Sequence, residues 1–136
     1  MRLVLDAQAL SVLMEAGPED RRKVRRAMTA AHELGREVVV ATLALAELYR
    51  GAGRSHSLDA LLAREEDAIM VRNTDRQLAR LVGSVLAQAS LGSAQMVDAH
   101  AVAIAVEDGG GVVLTSDRKD LERLGAPYRT VVVERV

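Results

Sequence analysis

Four acidic side chains occupy positions from which they could share one chemical task. Asp6 and Asp117 each lie at the end of a short apolar run, whereas Glu47 and Asp98 lie in segments with a helical pattern. Carboxylates that share a cleft repel one another unless they are protonated or bound to a cation. Because the set contains only hard oxygen ligands, it favours Mg²⁺ or Mn²⁺ over zinc. Such a cation lowers the pKa of a bound water and neutralises a phosphodiester during hydrolysis.

Taken one at a time, these acids have ordinary structural explanations. Asp6, Asp98 and Asp117 stand where a helix N-cap would stand, and Asp is among the best N-cap residues. Glu47 could form a weak surface pair with Arg50, three residues later in a helix. We favour the chemical interpretation because all four acids occur in order on elements that should meet at one place.

The elements that must position these acids are short strands alternating with helices. The predicted strands are 2–5, 37–41, 68–71, 112–115 and 130–133. The predicted helices are 18–34, 42–50, 58–65, 78–89, 97–106 and 118–124, with Thr42 as a cap and a capping box at Thr74–Gln77. This alternation predicts an α/β fold, a three-layer α/β/α sandwich with a mainly parallel, about five-stranded sheet, in a single domain over residues 1–136. Sites in such sheets lie beyond the carboxyl ends of the strands, where the four acids are then expected.

The composition excludes several kinds of site. There is no Cys, which rules out disulfides, zinc-thiolate sites and thiol catalysis. There is no Phe or Trp and there are two Tyr, so a reader of single-stranded nucleic acid built on aromatic stacking is not expected. The net charge is −1, so a polyanionic substrate must be held by local basic patches or by cations.

The apolar runs are too short for membrane insertion or export. The N-terminal run is interrupted at Asp6, too early for a signal peptide. No run approaches the roughly 18 residues of a membrane-spanning helix. We therefore expect a soluble, cytoplasmic protein with no membrane partner.

Three segments of the chain resemble those of PIN-domain proteins, in particular the VapC-type toxins of bacterial toxin–antitoxin pairs. They are Val4–Ala7, Ala41–Gly51 and the long block Asp98–Leu121. The resemblance implies a PIN-like fold and a metal-dependent endoribonuclease. Carried over to this sequence, the residues that would bind Mg²⁺ or Mn²⁺ and activate water are Asp6, Glu47, Asp98 and Asp117, with Thr115 as a supporting hydroxyl. The implied partners are an RNA substrate and a small cognate antitoxin, and an aliphatic surface is compatible with a homodimer.

The sequence departs from that pattern at two positions. Gln8 stands where the family often has Ser or Thr, two residues after the first Asp. An amide still hydrogen-bonds to a carboxylate or a water, so we expect altered tuning rather than loss of activity. Leu121 replaces an aromatic residue after the last acid, and we expect this change to affect packing alone.

Basic residues provide candidate contacts to the RNA backbone. Arg72, Arg76 and Arg80 recur at a spacing of four, which predicts a strip along one helix face. The run Arg21–Arg26 is the second choice, since dense basic runs are usually solvated. His100 follows Asp98 by two residues and would point away from it on a helix, so we interpret His100 as a buried structural histidine.

Other functions compete with this interpretation. A PIN nuclease of RNA processing, without an antitoxin, is the nearest. A phosphoacceptor domain of receiver type is disfavoured because no acid lies beside Asp6 and Lys119 is placed within a helix. A phosphatase with an Asp-x-Asp nucleophile is disfavoured by Gln8. A non-catalytic binding module would not need all four acids.

Overall fold

The structure, a computed structural model, describes residues 1–136. The strands are β1 (Arg2–Leu5), β2 (Glu37–Ala41), β3 (Met70–Arg72), β4 (Gly111–Thr115) and β5 (Val131–Arg135). The helices are α1 (Ala7–Glu15), α2 (Pro18–Glu33), α3 (Thr42–Leu48), α4 (Ala52–Arg64), α5 (Arg76–Gln88), α6 (Met96–Glu107) and α7 (Lys119–Gly125). A 3₁₀ turn at Ser93–Gln95 leads into α6. None of these helices combines the length and the apolar character that a membrane crossing requires.

The strands form one parallel sheet in the order β3-β2-β1-β4-β5. Central parallel strands are covered on both faces and therefore read as continuous aliphatic runs. β2 fits this rule, since Val38–Ala41 are all buried. With helices on both sides of five parallel strands, the predicted three-layer α/β fold is confirmed.

The sheet order brings three strand ends together. β1 lies between β2 and β4, and Leu5 pairs with both Val40 and Leu114. The carboxyl ends of these strands are followed at once by Asp6, by α3 and by the Ser116–Arg118 loop. This edge is where an open α/β sheet places its functional crevice.

α6 is the most enclosed helix of the molecule. Every residue from Ala99 to Ala105 is buried, and the helix contacts β1, β2 and β4 as well as α5 and α7. Small side chains on all its faces let neighbouring elements approach closely. Asp98, in the first turn of this helix, is therefore carried by an element that is packed on every side.

Helix α1 is absent from the predicted elements. The first helix predicted from the sequence starts at Pro18, but α1 already covers Ala7–Glu15. Its buried residues, Ala7, Ala9, Leu10 and Leu13, are small or spaced irregularly, so the helical period was weak. The predicted third strand is also displaced, because β3 begins at Met70 rather than at residue 68, and α4 begins six residues earlier than expected.

Two predicted helix caps are wrong. The cap of α5 is Asp75, whose side chain accepts a hydrogen bond from the Leu78 amide at 2.8 Å, so Thr74 does not open a capping box. Thr42 is the first residue of α3 rather than its cap. Its hydroxyl lies 3.1 Å from the Arg72 carbonyl oxygen and 2.9 Å from Oδ1 of Asn73, so it ties α3 to the segment after β3.

Candidate active site

Asp6 combines a structural role with an unusual electrostatic one. It is 3% exposed, and its Oδ1 accepts a hydrogen bond from the Ala9 amide at 2.7 Å, so it caps α1 as expected of an N-cap. Burial raises the pKa of the Asp6 carboxyl to about 6, and the negative charge of Asp98 acts in the same direction. The Thr115 hydroxyl and the backbone amides of Ala9 and Gln8 oppose this rise. Because ionising this carboxyl costs free energy, a nearby cation would stabilise its charged form.

Asp98 is the point at which the other acids meet. Its pKa is raised to about 6, first by burial and then by the charges of Asp120, Glu47 and Asp117, in that order. The N-cap explanation is wrong for Asp98, because α6 begins at Met96 and Gln95 is its cap residue. Glu47 and Asp117 therefore lie close enough to Asp98 to disfavour its negative charge. Asp98 in turn lies close enough to Asp6 to disfavour the negative charge of Asp6.

Glu47 lies on the exposed face of α3, and the buried residues of that helix fix its position. Ala44, Leu45 and Leu48 are buried, whereas Glu47 is exposed. It makes no ion pair with Arg50, so the expected surface pair is not formed. Without such a pair, the negative charge of Glu47 is not offset by Arg50 and contributes to the raised pKa of Asp98.

Thr115 fixes the loop that carries Asp117. This fully buried residue ends β4, and its Oγ1 both donates to the Asp117 carbonyl oxygen and accepts from the Asp117 amide, each at 3.0 Å. Asp117 also accepts a hydrogen bond from the Lys119 amide at 3.3 Å, although the formal cap of α7 is Arg118. The Thr115 hydroxyl is therefore a positioning group for an exposed acid.

Asp120 is a fifth acid that is not among the predicted site residues. It lies in the first turn of α7, and it is the first of the charges that raise the pKa of Asp98. Asp117 lies in the loop just before α7, so the three-residue spacing between the two acids, which is visible in the sequence, keeps them near one another. The acid site thus has five members.

The acids are of the chemical type that binds a divalent cation, but their side chains do not already surround a metal position. No group of three or more acidic or histidine side chains is arranged to hold a metal ion as the side chains lie. The raised pKa values of Asp6 and Asp98 nevertheless show carboxyls that favour neutralisation. An all-oxygen donor set fits Mg²⁺ or Mn²⁺. His100 does not join it, because it is buried with its Nδ1 2.8 Å from the Met96 carbonyl oxygen.

The three arginines proposed for RNA do not form one helical strip. Arg72 ends β3, and its guanidinium is committed to Glu107 and Asp75. Arg76 and Arg80 lie one turn apart on α5, are exposed and make no ion pair. The strip is therefore wrong as a geometric description, while RNA contact by Arg76 and Arg80 stays a prediction.

Known proteins share this sequence pattern and this fold. The PIN domain family matches residues 3–127. Two solved structures cover nearly the whole chain: VapBC2 from Rickettsia felis bound to a DNA fragment from their promoter, with a TM-score of 0.67, 15% identity and coverage of 100% of this chain and 99% of that one; and DNA-bound VapBC from Salmonella typhimurium, with a TM-score of 0.64, 18% identity and coverage of 99% and 98%. No curated protein matches the sequence. At these identities the solved structures establish the similarity of fold.

Proposed function

The chain belongs to the PIN domain family, and from this premise we propose that it is a Mg²⁺- or Mn²⁺-dependent endoribonuclease, the toxin of a toxin–antitoxin pair. The observation that supports the activity most directly is the set of carboxylates around Asp98. Glu47, Asp117 and Asp120 all raise its pKa, and Asp98 in turn raises that of Asp6. Carboxylates from separate elements thus lie near one another at the carboxyl edge of the sheet, where they repel one another. Such an arrangement is typical of a functional site that binds a cation.

The four predicted acids divide into two pairs with different roles in the proposed reaction. A bound divalent cation would supply a water of lowered pKa and neutralise charge on the phosphodiester. Asp6 and Asp98 are the residues we assign to hold it, because they are the most buried and the most costly to leave charged. Glu47 and Asp117 are exposed at the rim, where they can orient a water or accept its proton. Thr115 keeps Asp117 in place through its two backbone contacts.

The proposed substrate follows from the openness of the rim and from its surroundings. The exposed Glu47, Asp117 and Asp120 border solvent, so a long polymer can lie across the site without entering a tunnel. Free guanidinium groups on α5, at Arg76 and Arg80, suit the phosphates of such a polymer. RNA is the polymer that we propose.

The proposed partner is a small antitoxin. Both solved structures described above are VapBC complexes, and this chain covers at least 98% of each matched chain. An inhibitor that inserts an arginine among the carboxylates would silence the site, because a guanidinium meets carboxylates through paired hydrogen bonds. Growth arrest when the chain is expressed alone, relieved by the neighbouring gene, would support this role, whereas unimpaired growth would count heavily against it.

The activity is tested with purified protein and a mixed RNA substrate. Wild type should cleave RNA with Mg²⁺ or Mn²⁺ and stop when EDTA is added. Asp98→Asn should lose about a hundredfold in rate or more, because even residues that only orient a metal ligand typically contribute about 10–100-fold. The matched control is Asp67→Asn, an exposed acid outside the site that makes no ion pair. Cleavage by Asp98→Asn at the wild-type rate would overturn the assignment.

A further inference from the structure

A small polar cavity adjoins the acid site. Its volume is about 140 Å³, and it lies between α1, α3 and the start of α4. Its polar lining consists of Gln8, Ser11, Glu47, Arg50 and Arg54. Since Glu47 belongs to both, the cavity and the acid site share a wall. A single water needs about 10–15 Å³ of such volume, so this cavity has room for a larger polar group.

A sharp turn places two guanidinium groups at this cavity. α3 ends at Leu48, and Gly51 has a φ of 89°, in the left-handed region that favours glycine. α4 then begins at Ala52. Glu47, Arg50 and Arg54 therefore reach the same cavity although they belong to two helices and the turn that joins them.

The two arginines differ in how they are engaged. Arg54 crosses to α1, where its Nε donates to Glu15 at 2.9 Å and its Nη2 to Ser11 at 3.4 Å. Half of the Glu15 side chain is exposed (49%), so this pair is weak and leaves other N–H donors of Arg54 free. Arg50 is exposed and makes no ion pair or side-chain hydrogen bond in the structure. Arg50 is therefore the cation of this lining that has no partner, whereas Arg54 is paired with Glu15 and the lining also contains Glu47.

The donors of this cavity are side chains rather than the backbone at the start of α4. Of the first three residues of α4, only Arg54 belongs to the lining. Guanidinium groups such as those of Arg50 and Arg54 form strong, charge-assisted hydrogen bonds to phosphate.

We propose that this cavity binds a phosphate of the RNA chain next to the one that is cleaved. The inference rests on the proposed ribonuclease function and adds a binding subsite to it. Arg50 would be the principal contact, Arg54 the second, and the scissile phosphate would then be aligned over the acids. Glu47 is the one acidic residue in the lining, and it also lies at the rim of the acid site, where we assign it to the attacking water. A phosphate held in this way positions the substrate without reading its sequence.

The test compares protein variants with RNA in which one phosphate is made neutral. Methylphosphonates are placed singly at each position around a mapped cleavage site, and KM and kcat are measured for wild type and Arg50→Gln. In wild type, one flanking methylphosphonate should raise KM by about tenfold, as expected for the loss of one charge-assisted contact. Arg50→Gln should raise KM by a similar factor on natural RNA, and the same methylphosphonate should then add nothing. The effect on kcat should be smaller, because the contact is made before and during the reaction.

Arg129→Gln is the matched control. Arg129 is exposed, makes no ion pair and precedes β5, whose first residue pairs with Gly111 at the opposite edge of the sheet. This variant should keep the wild-type response to every methylphosphonate. Additive effects of Arg50→Gln and each methylphosphonate would overturn the subsite, and so would an identical response in Arg129→Gln, since general surface charge would then explain it.

A binding measurement separates this inference from the ribonuclease proposal. Fluorescence anisotropy with a labelled eight-nucleotide RNA and Mg²⁺ gives a Kd whether or not cleavage occurs. If wild type cleaves no RNA but Arg50→Gln weakens binding severalfold and Arg129→Gln does not, the ribonuclease proposal fails, whereas phosphate binding at this cavity stands without its link to cleavage. If cleavage occurs and Kd is equal in all three proteins, the subsite fails and the ribonuclease proposal stands. We expect both variants to melt at the wild-type temperature, because neither Arg50 nor Arg129 makes an ion pair that the substitution would remove. Equal melting temperatures exclude unfolding as the cause of weaker binding.

Discussion

Arg72 and Glu107 meet through two parallel hydrogen bonds, from Nε to Oε1 at 2.8 Å and from Nη2 to Oε2 at 3.1 Å. The same carboxylate also accepts from Nη1 of Arg2 at 2.7 Å. Glu107 ends α6, so this fork joins that helix to the edge strand β3 and to the central strand β1. An arginine interpreted from its spacing as a substrate contact is therefore a structural residue.

Arg72→Ala should lower the free energy of unfolding by about 1–2 kcal/mol, because the bidentate pair is lost and only the existing Arg2 contact to the Glu107 carboxylate remains. Urea denaturation monitored by circular dichroism measures it. Arg80→Ala, an exposed residue without an ion pair, is the control and should change stability by less than about 0.5 kcal/mol. Equal effects of the two substitutions would show that the fork contributes nothing.

Asp6→Asn should stabilise the protein at pH 7 in the absence of divalent cations. The folded-state pKa of Asp6 is raised from 3.8 to about 6, so the folded state binds more protons than the unfolded state between these values, and stability falls as pH rises through that window. Asn removes this loss and still caps α1. The gain should be on the order of 1–3 kcal/mol at pH 7 and should vanish near pH 4. Unfolding free energies at both pH values test it, and a gain of equal size at pH 4 would contradict the electrostatic explanation.

Mg²⁺ or Mn²⁺ should raise the melting temperature of wild type at pH 7.5. A cation that binds only the folded state stabilises it by about 2.7 kcal/mol when present at a hundred times its Kd. The effect should shrink below pH 6, where protonation of Asp6 and Asp98 competes with the cation. Differential scanning fluorimetry of wild type, Asp98→Asn and the control Asp67→Asn tests it. A shift retained in Asp98→Asn would place the cation elsewhere.

Arg76→Ala should weaken binding to unrelated RNAs by about the same factor. Its exposed guanidinium has no partner in the protein, and phosphate contacts are independent of sequence. The slope of log Kd against log salt should fall by roughly one unit or less. Binding of two unrelated RNAs across a salt series measures it. If slope and Kd match wild type for both, α5 is only a solvated helix and the run on α2 becomes the next candidate.

The strands and the placement of Asp6 and Asp117 after two of them were predictable because both follow from local chemistry. β-Branched aliphatic runs such as Val38–Val40 favour buried strands, and the residue after a parallel strand lies at the carboxyl edge wherever the strand sits in the sheet. Asp6 and Asp117 were identified in this way. The order of the strands was beyond such reasoning, because it depends on contacts between distant segments.

The errors have a common physical origin in contacts across the fold. Arg72 falls on the four-residue spacing of a helix, but the chain bends at Asn73 and only the distant Glu107 determines what its side chain does. Asp120 gains its role from Asp98, which lies 22 residues earlier and is brought close by the contact of α6 with α7. Helix α1 is stabilised by burial against α2 rather than by a clear helical period.

The position of β1 determines when the acid site can assemble as the chain is synthesised. β1 precedes the other four strands in the sequence, yet one of its two neighbours is β4, which ends at Thr115. Until about five-sixths of the 136 residues have emerged, the central strand lacks half of its backbone partners and Asp6 has no neighbours from the last acid-bearing loop. A chain that ends before β4 therefore cannot assemble the acid site, and the activity that we propose would begin only once β4 has joined the sheet.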